Sequence, residues 1–153
     1  MIYRYRIILD TKEDVFRDIE IKSNSNLEEF HFTIANAFGF GGKEMASFFF
    51  ANEKWEQGEE IPLINVDENT ESMRDKTLKN LVNNKNLKLI YVYDFLSLWT
   101  FFVEFVKIAE ENSKYQYPYL TFSKGEVPEE APIKDFRVEN QDITMDEKNE
   151  QSF

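Results

Sequence analysis

Two carboxylates lie inside the most aromatic stretch of the chain. Residues 91–105 read YVYDFLSLWTFFVEF, and Asp94 and Glu104 are the only charged side chains among them. If both were buried in an apolar hollow, burial would raise their pKa values, and the pair could share a proton or bind a cation. With Tyr93 and Trp99 they form a candidate pocket for a small ligand or for catalysis.

The same carboxylates also have a simpler structural explanation. If two strands reverse direction at residues 96–98, Asp94 stands at the turn, where a carboxylate commonly accepts backbone hydrogen bonds. Glu104 would then face solvent beside Lys107. We favour this turn-capping role over chemistry for Asp94, and we keep the pocket as an alternative.

His31 is the single histidine of the chain, and the chain has no cysteine. A histidine that acts as a general base or as a metal ligand needs partners that converge on it, and here only carboxylates could supply them. The sequence offers no nucleophile–base pair or triad. We therefore predict that His31 is a structural or a surface histidine, and we predict no cofactor-binding or metal-binding residues.

The charge of the chain argues against nucleic-acid binding. Its 29 acidic and 18 basic residues give a formal net charge of −11. Proteins that bind nucleic acids cluster their cations to displace counterions from phosphates, whereas the Lys and Arg residues here are scattered. An acidic surface keeps a protein soluble or attracts a basic partner, and of these two explanations we favour a solvated surface.

Cysteine usage and hydropathy bear on location. A chain without cysteine forms no disulfides, which suits a reducing cytoplasm. The candidate membrane span, residues 89–106, contains Asp94 and Glu104, and a charge near the bilayer centre costs about 3 kcal/mol. We predict a cytoplasmic protein with no membrane segment.

Two stretches near the amino terminus alternate apolar and polar residues. Residues 2–9 read IYRYRIIL and residues 15–22 read VFRDIEIK, and a short polar link joins them. Period two is typical of strands that are buried on one face. The two stretches therefore predict a β-hairpin.

A change of period marks the start of a helix. The apolar stripe at helical spacing consists of Leu27, Phe30, Ile34 and Phe38. Ser25 and Glu28 fit a capping box at its beginning, and Gly39 suits its end. This amphipathic helix is the main helix that the sequence predicts.

The middle of the chain predicts shorter elements. Residues 47–52, SFFFAN, predict a strand. Residues 56–66 contain Pro62, so any strand there is short or lies at a sheet edge. Thr77 is a plausible cap for a helical turn that follows it.

The aromatic stretch predicts two further strands, over residues 87–95 and 98–108. A helix over residues 96–111 is a competing interpretation, because Leu96, Trp99, Val103 and Val106 also fit period 3.6. β-Branched and aromatic residues favour the strand. Because both of its faces are apolar, we expect a central position in the sheet.

The composition changes near residue 124. Residues 124–153 hold four basic and nine acidic residues, a net charge of −5. A segment with few apolar residues and excess charge cannot offset its ordering entropy by burial. We therefore predict one domain over residues 1–123 and a flexible acidic arm over residues 124–153, in which Ile133, Phe136 and Val138 could still dock as a strand.

The order of strand, strand, capped helix, strand, edge strand, helical turn and strand resembles a β-grasp. A second resemblance covers most of the chain: it is similar to the plasmid pRiA4b ORF-3-like family, often labelled the passenger TnpR protein of an insertion element. One shared motif is A-F-G-aromatic, present as Ala37, Phe38, Gly39 and Phe40. The other is Y-x-Y-D-F-G-D-x-W-x-H, matched at Tyr91, Tyr93, Asp94, Phe95 and Trp99.

The chain also departs from the family pattern. The G-D of the motif is Leu96-Ser97 here, its histidine aligns with Phe101, and the cysteines of the later proline-rich segment are absent. If those groups form a site in relatives, this chain lacks most of it. The resemblance implies an α+β fold and no established activity.

These observations together predict an α+β domain with a mixed sheet, one main helix after the hairpin, and an extra aromatic strand. We expect a non-catalytic interaction module that binds a protein, with strand addition at residues 60–66 as one binding mode. One alternative is a small-ligand binder or enzyme with a pocket near Tyr93, Asp94, Trp99 and Glu104. A second alternative is a mobile-element accessory factor.

Overall fold

Seven strands and two α-helices make up most of the regular structure in the described part of the protein. The computed structural model describes residues 1–65 and 67–133. The elements in chain order are β1 (Ile2–Leu9), β2 (Phe16–Lys22), α1 (Leu27–Ala37), β3 (Ala46–Ala51), β4 (Gln57–Pro62), a 3-10 turn (Met73–Asp75), α2 (Leu78–Asn83), β5 (Lys88–Tyr93), β6 (Trp99–Ala109) and β7 (Tyr119–Lys124).

The seven strands form a single sheet in the order β4-β3-β5-β6-β1-β2-β7. Each neighbouring pair in this sheet is antiparallel. The fold is therefore α+β and dominated by its sheet, and the prediction of a mixed sheet is wrong. The reason is the position of β6, which lies between β1 and β5 and runs antiparallel to both.

Strand β6 resolves the choice between helix and strand for residues 96–111. It extends over eleven residues, from Trp99 to Ala109, and pairs with β1 on one side and β5 on the other. The strand prediction and the central position are both confirmed. The helical spacing of its apolar residues is a by-product of a strand that has aromatic side chains on both faces.

Helix α1 begins one residue later than the sequence suggests. Its N-cap is Asn26, whose side chain accepts a hydrogen bond from the backbone of Glu29, and the Glu29 side chain accepts one in return. The predicted capping box of Ser25 and Glu28 is wrong. The pair of Asn26 and Glu29 has the same spacing, so spacing alone does not distinguish the two pairs. Gly39 lies just past the helix with φ of 84°, where glycine is the least strained residue.

One face of the sheet forms the core. The β1 side chains on this face are Tyr3, Tyr5, Ile7 and Leu9, all buried. Helix α1 covers them with its own buried side chains, which are Leu27, Phe30, His31, Ile34 and Ala35. Residues of α2 and of the 3-10 turn belong to the same cluster, so the described helices pack on this face.

The opposite side of the sheet, here called the open face, carries charged side chains. Arg4 contacts Glu20 at 2.7 Å, and Arg6 binds both carboxylate oxygens of Asp18 at 2.8 and 2.9 Å. These pairs face each other across β1 and β2. Opposite charges on paired strands stabilise the register of the hairpin.

The described part of the predicted arm does not lie apart from the domain. Val127 and Ala131 pack against the core. Phe136 and Val138, predicted as a possible docking strand, lie outside the described residues, as does Val66 at the end of the predicted edge strand. Within the described residues no helix has the length and apolar character needed to cross a bilayer.

The hairpin of β5 and β6 allows a direct comparison of how much a buried strand residue and an exposed turn residue contribute to the free energy of unfolding. Phe101 is fully buried against Phe38 and Tyr91, with ring centroids 4.6 and 5.7 Å apart, whereas Leu96 at the turn is 98% exposed. We expect Phe101→Ala to lower the free energy of unfolding by about 3–5 kcal/mol. Leu96→Ala should change it by less than about 0.5 kcal/mol. Urea unfolding of both variants checks this, and equal effects would contradict the packing described.

Candidate functional site

Tyr93 and Trp99 lie side by side at the closed end of the β5–β6 hairpin. They are cross-strand partners, and both are buried on the core face. The ring of Phe40 packs against both, with centroid distances of 5.1 Å to Tyr93 and 4.8 Å to Trp99. The space beside them is therefore occupied by side chains of the protein itself.

Asp94 shapes the turn that follows. It adopts φ of 64°, and its side-chain Oδ1 accepts a hydrogen bond from the backbone N–H of Leu96 at 3.2 Å. Its carbonyl accepts hydrogen bonds from the N–H groups of Ser97 and Leu98, at 3.0 and 2.6 Å. The Asp94 carboxylate thus has the turn-capping contact that the sequence predicts.

Glu104 lies far from this turn. It faces Lys88 at the opposite end of β5, and their side chains are 3.3 Å apart. Lys88 precedes Tyr93 by five residues, or about 17 Å along a strand. Glu104 also occupies the open face, because side chains alternate along β6 and Trp99 points into the core. The structure brings Tyr93, Asp94 and Trp99 together and does not place Glu104 with them.

His31 is buried beneath the same aromatic cluster. Its Nδ1 lies 2.6 Å from the hydroxyl of Tyr91, and its Nε2 makes no full hydrogen bond within the described residues. Burial lowers the pKa of His31 below its ordinary 6.5, and a weaker interaction with the backbone of Gly42 partly opposes this. The imidazole is therefore a neutral part of the core.

The described residues include no cluster of three or more histidine, cysteine or acidic side chains placed to hold a metal ion. Two surface grooves do occur. One, of about 330 Å³, is lined by Leu63, Ile64, Asn65, Ser72, Arg74 and Asp75. The other, of about 310 Å³, lies where the end of β2 and the start of α1 meet Tyr117 and Pro118. Neither is lined by a residue of the predicted pocket.

Strand β4 forms one edge of the sheet, as the sequence predicts, but over Gln57–Pro62 rather than residues 60–66. Pro62 is the last residue of the strand, and proline is tolerated on an edge strand although it supplies no N–H. Glu59 and Glu60 are exposed on this edge. Gly58 sits opposite Phe50, where an added Cβ would lie 3.2 Å from the Phe50 carbonyl oxygen.

The second edge of the sheet escaped the sequence analysis. Strand β7 (Tyr119–Lys124) pairs with β2 and has no partner strand on its other side in the described structure. Tyr115 stacks on Tyr119 with centroids 4.0 Å apart, and Tyr117 lies beside Tyr115. The sequence does contain a signal for this strand. The segment YQYPYLTFSK places three tyrosines around a proline before an uncharged run.

Substitution at Asp94 separates a turn role from a chemical one. Asp94→Asn keeps an acceptor and a residue that tolerates positive φ, so the free energy of unfolding should change by less than about 0.5 kcal/mol. Asp94→Ala removes the hydrogen bond and strains the backbone, and should cost about 1–2 kcal/mol. Chemical denaturation measures both. Equal destabilisation by the two variants would contradict the turn role.

His31 should make stability depend on pH. Its folded-state pKa lies below 6.5, so below that pH the unfolded chain binds more protons than the folded chain. The free energy of unfolding should therefore fall as the pH drops from 6.5 toward the folded-state pKa, by at most about 1.4 kcal/mol per pH unit for this group. Denaturation at several pH values checks the slope, and His31→Gln should flatten it. An unchanged slope in that variant would contradict this assignment.

Comparison with known proteins adds a family and a structural relative. A family model described as plasmid pRiA4b ORF-3-like protein matches residues 1–150. A crystal structure of a protein of unknown function, MM3350 from Methanosarcina mazei Go1, superposes with a TM-score of 0.72. The two sequences are 22% identical, and the match covers 84% of this chain and 72% of the other, so the likeness is one of fold. No curated protein matches the sequence.

The family match spans nearly the whole chain, and this range includes the residues around Phe38 and Asp94 that form the helix end and the β5–β6 turn. The chain belongs to the plasmid pRiA4b ORF-3-like protein family.

Proposed function

We propose that the protein is a non-catalytic interaction module that binds a basic, extended segment of a protein partner by strand addition at β4. The observation that carries the proposal is the character of this edge. Its residues Gln57, Gly58, Glu59 and Glu60 are all exposed, and the strand is paired on one side only in the described structure. A segment that adds there gains main-chain hydrogen bonds from a preformed ladder.

The charge of the edge favours a basic partner. On the open face, Asp18, Glu20 and Glu104 each have a cation within 3.3 Å. In contrast, Glu59 and Glu60 contact no Lys or Arg side chain among the described residues, and Glu60 hydrogen-bonds to a serine hydroxyl instead. Unpaired carboxylates along an edge attract basic partners and raise their association rate.

The geometry of β4 limits the length of such a segment. Ile61 is buried and anchors the strand to the core, and Pro62 closes the ladder at its end. The bulge opposite Phe50 interrupts the pairing with β3 near Gly58. A partner segment of about five residues, with basic side chains alternating along it, fits these bounds.

The interior of the protein supports a non-catalytic role. Phe40 fills the space beside Tyr93 and Trp99, and His31 is engaged with Tyr91 inside the core. A catalytic site would need a nucleophile or a base that a substrate can reach. Among the residues of the predicted pocket, the Asp94 side chain caps the turn, and Glu104 lies on the other face beside Lys88.

We also propose that the fold is an elaborated β-grasp. Both β1 and β5 run antiparallel to β6, so they are parallel to each other, and only β6 separates them. Without β6 and the edge strand β7 the order would be β4-β3-β5-β1-β2, with α1 packed on one face. This arrangement supports the β-grasp resemblance, with β6 as the inserted aromatic strand.

A short peptide that alternates Lys and Val tests the strand-addition proposal. We expect the peptide to slow amide hydrogen exchange at residues 57–61, and we expect Glu59→Lys to weaken its binding about fivefold to tenfold. Glu111→Lys is the matched control, because it makes the same charge change at an exposed position beyond the end of β6. Binding should also weaken as salt is raised.

Two results would overturn the proposal. One is an equal effect of the Glu59→Lys and Glu111→Lys substitutions on peptide binding, and the other is unchanged exchange at β4 in the presence of the peptide. Native mass spectrometry of the purified chain addresses the alternative of a small-ligand binder. A retained stoichiometric ligand would favour that alternative.

A further inference from the structure

The two edges of the sheet differ in charge. On β4 the exposed residues include Glu59 and Glu60, whereas the first five residues of β7, Tyr119 to Ser123, carry no charge. Natural proteins protect sheet edges with charges, prolines and bulges, because an unpaired edge is a template for another strand. Of these devices β7 has a bulge at Thr121 and a single charge, at Lys124.

Apolar side chains remain exposed along β7. Leu120 is 44% exposed and Phe122 is 52% exposed. Each is a large side chain on an edge strand, so water contacts apolar surface beside unpaired backbone groups. A strand that added to this edge would bury both kinds of group at once.

The aromatic rings beside this edge are already ordered. The ring of Phe122 lies 5.7 Å from that of Phe16, and the guanidinium of Arg6 stacks on Phe16 at 4.3 Å. At the other end of the strand, Tyr115 stacks on Tyr119. Rings held in this way lose little conformational entropy when they are buried, and tyrosine is enriched in protein interfaces.

We propose that β7 is a self-association surface, and that a second copy of this chain pairs with it, β7 against β7, about a two-fold axis. Such an interface is isologous, so each residue of one strand faces its counterpart in reverse order. Because residues 119–123 are uncharged, antiparallel self-pairing brings no like charges together. The corresponding pairing of β4 would bring carboxylates of Glu59 and Glu60 close to each other, which disfavours it.

The expected dimer is weak. A standard protein interface buries about 1,600 Å² in total, and a six-residue strand with a few flanking rings offers less. The bulge at Thr121, whose hydroxyl donates to the Asp18 carbonyl, also shortens the ladder. In addition, each copy carries a net charge of −11, so the copies repel at long range. We therefore expect a dissociation constant in the micromolar range or above, which falls as salt screens this repulsion.

Sedimentation equilibrium of the full chain over a wide concentration range tests the proposal. We expect reversible dimers that are favoured by added salt, and amide exchange at Tyr119–Lys124 that slows as the concentration rises. Leu120→Lys and Phe122→Lys should each weaken the association at least about tenfold. The matched control is Val106→Lys, which makes the same change at a 48% exposed apolar position of β6 and should leave association unchanged.

Each of the following outcomes would overturn the proposal. A chain that stays monomeric at the highest concentration has no such interface. A dimer whose protected amides lie in β4, or whose strength falls equally in the Val106→Lys control, uses another surface. Protection of β7 at every concentration in a monomer would mean that another segment of the same chain covers the edge. The exchange data on the unaltered chain decide the matter even if a lysine variant fails to fold.

Discussion

The fold depends on the two-sided pairing of β6. On one side of this strand lies the amino-terminal hairpin of β1 and β2, and on the other lie β5, β3 and β4. Its two backbone ladders join these halves into one sheet. Its side chains serve both faces, since Phe101 and Val103 point into the core and Glu104 lies on the open face. This double role explains why the most aromatic part of the sequence is also its most central part.

The aromatic core contains polar groups that limit how it can pack. The Tyr91 hydroxyl finds a partner in His31, but the Tyr5 hydroxyl has none among the described residues. Burial raises the pKa of both tyrosines, so both stay protonated under ordinary conditions. An unsatisfied buried hydroxyl costs free energy, and the ring that carries it repays this by packing against Phe30 and Phe105.

Much of this architecture could be predicted from local patterns. Period two identified β1 and β2, and the Asp94 turn and its cap followed from residue type. The helix cap was displaced by one residue because Ser25 and Asn26 both have glutamate three positions later. Strand order could not be predicted, because hydrophobic periodicity does not encode which strands are neighbours. The placement of Glu104 and Trp99 on opposite faces could be predicted from the sequence. They are an odd number of positions apart in one strand, and successive side chains of a strand alternate between its faces.

The strand order also determines what two joined copies could do. Six inter-strand spacings lie between β4 and β7, so the acidic edge is roughly 29 Å from the uncharged one. A pair joined at β7 would therefore carry its two acidic edges at opposite ends, about 60 Å apart. Such an assembly would be bivalent, and a partner with two suitably spaced basic segments would be held with an avidity that neither contact has alone.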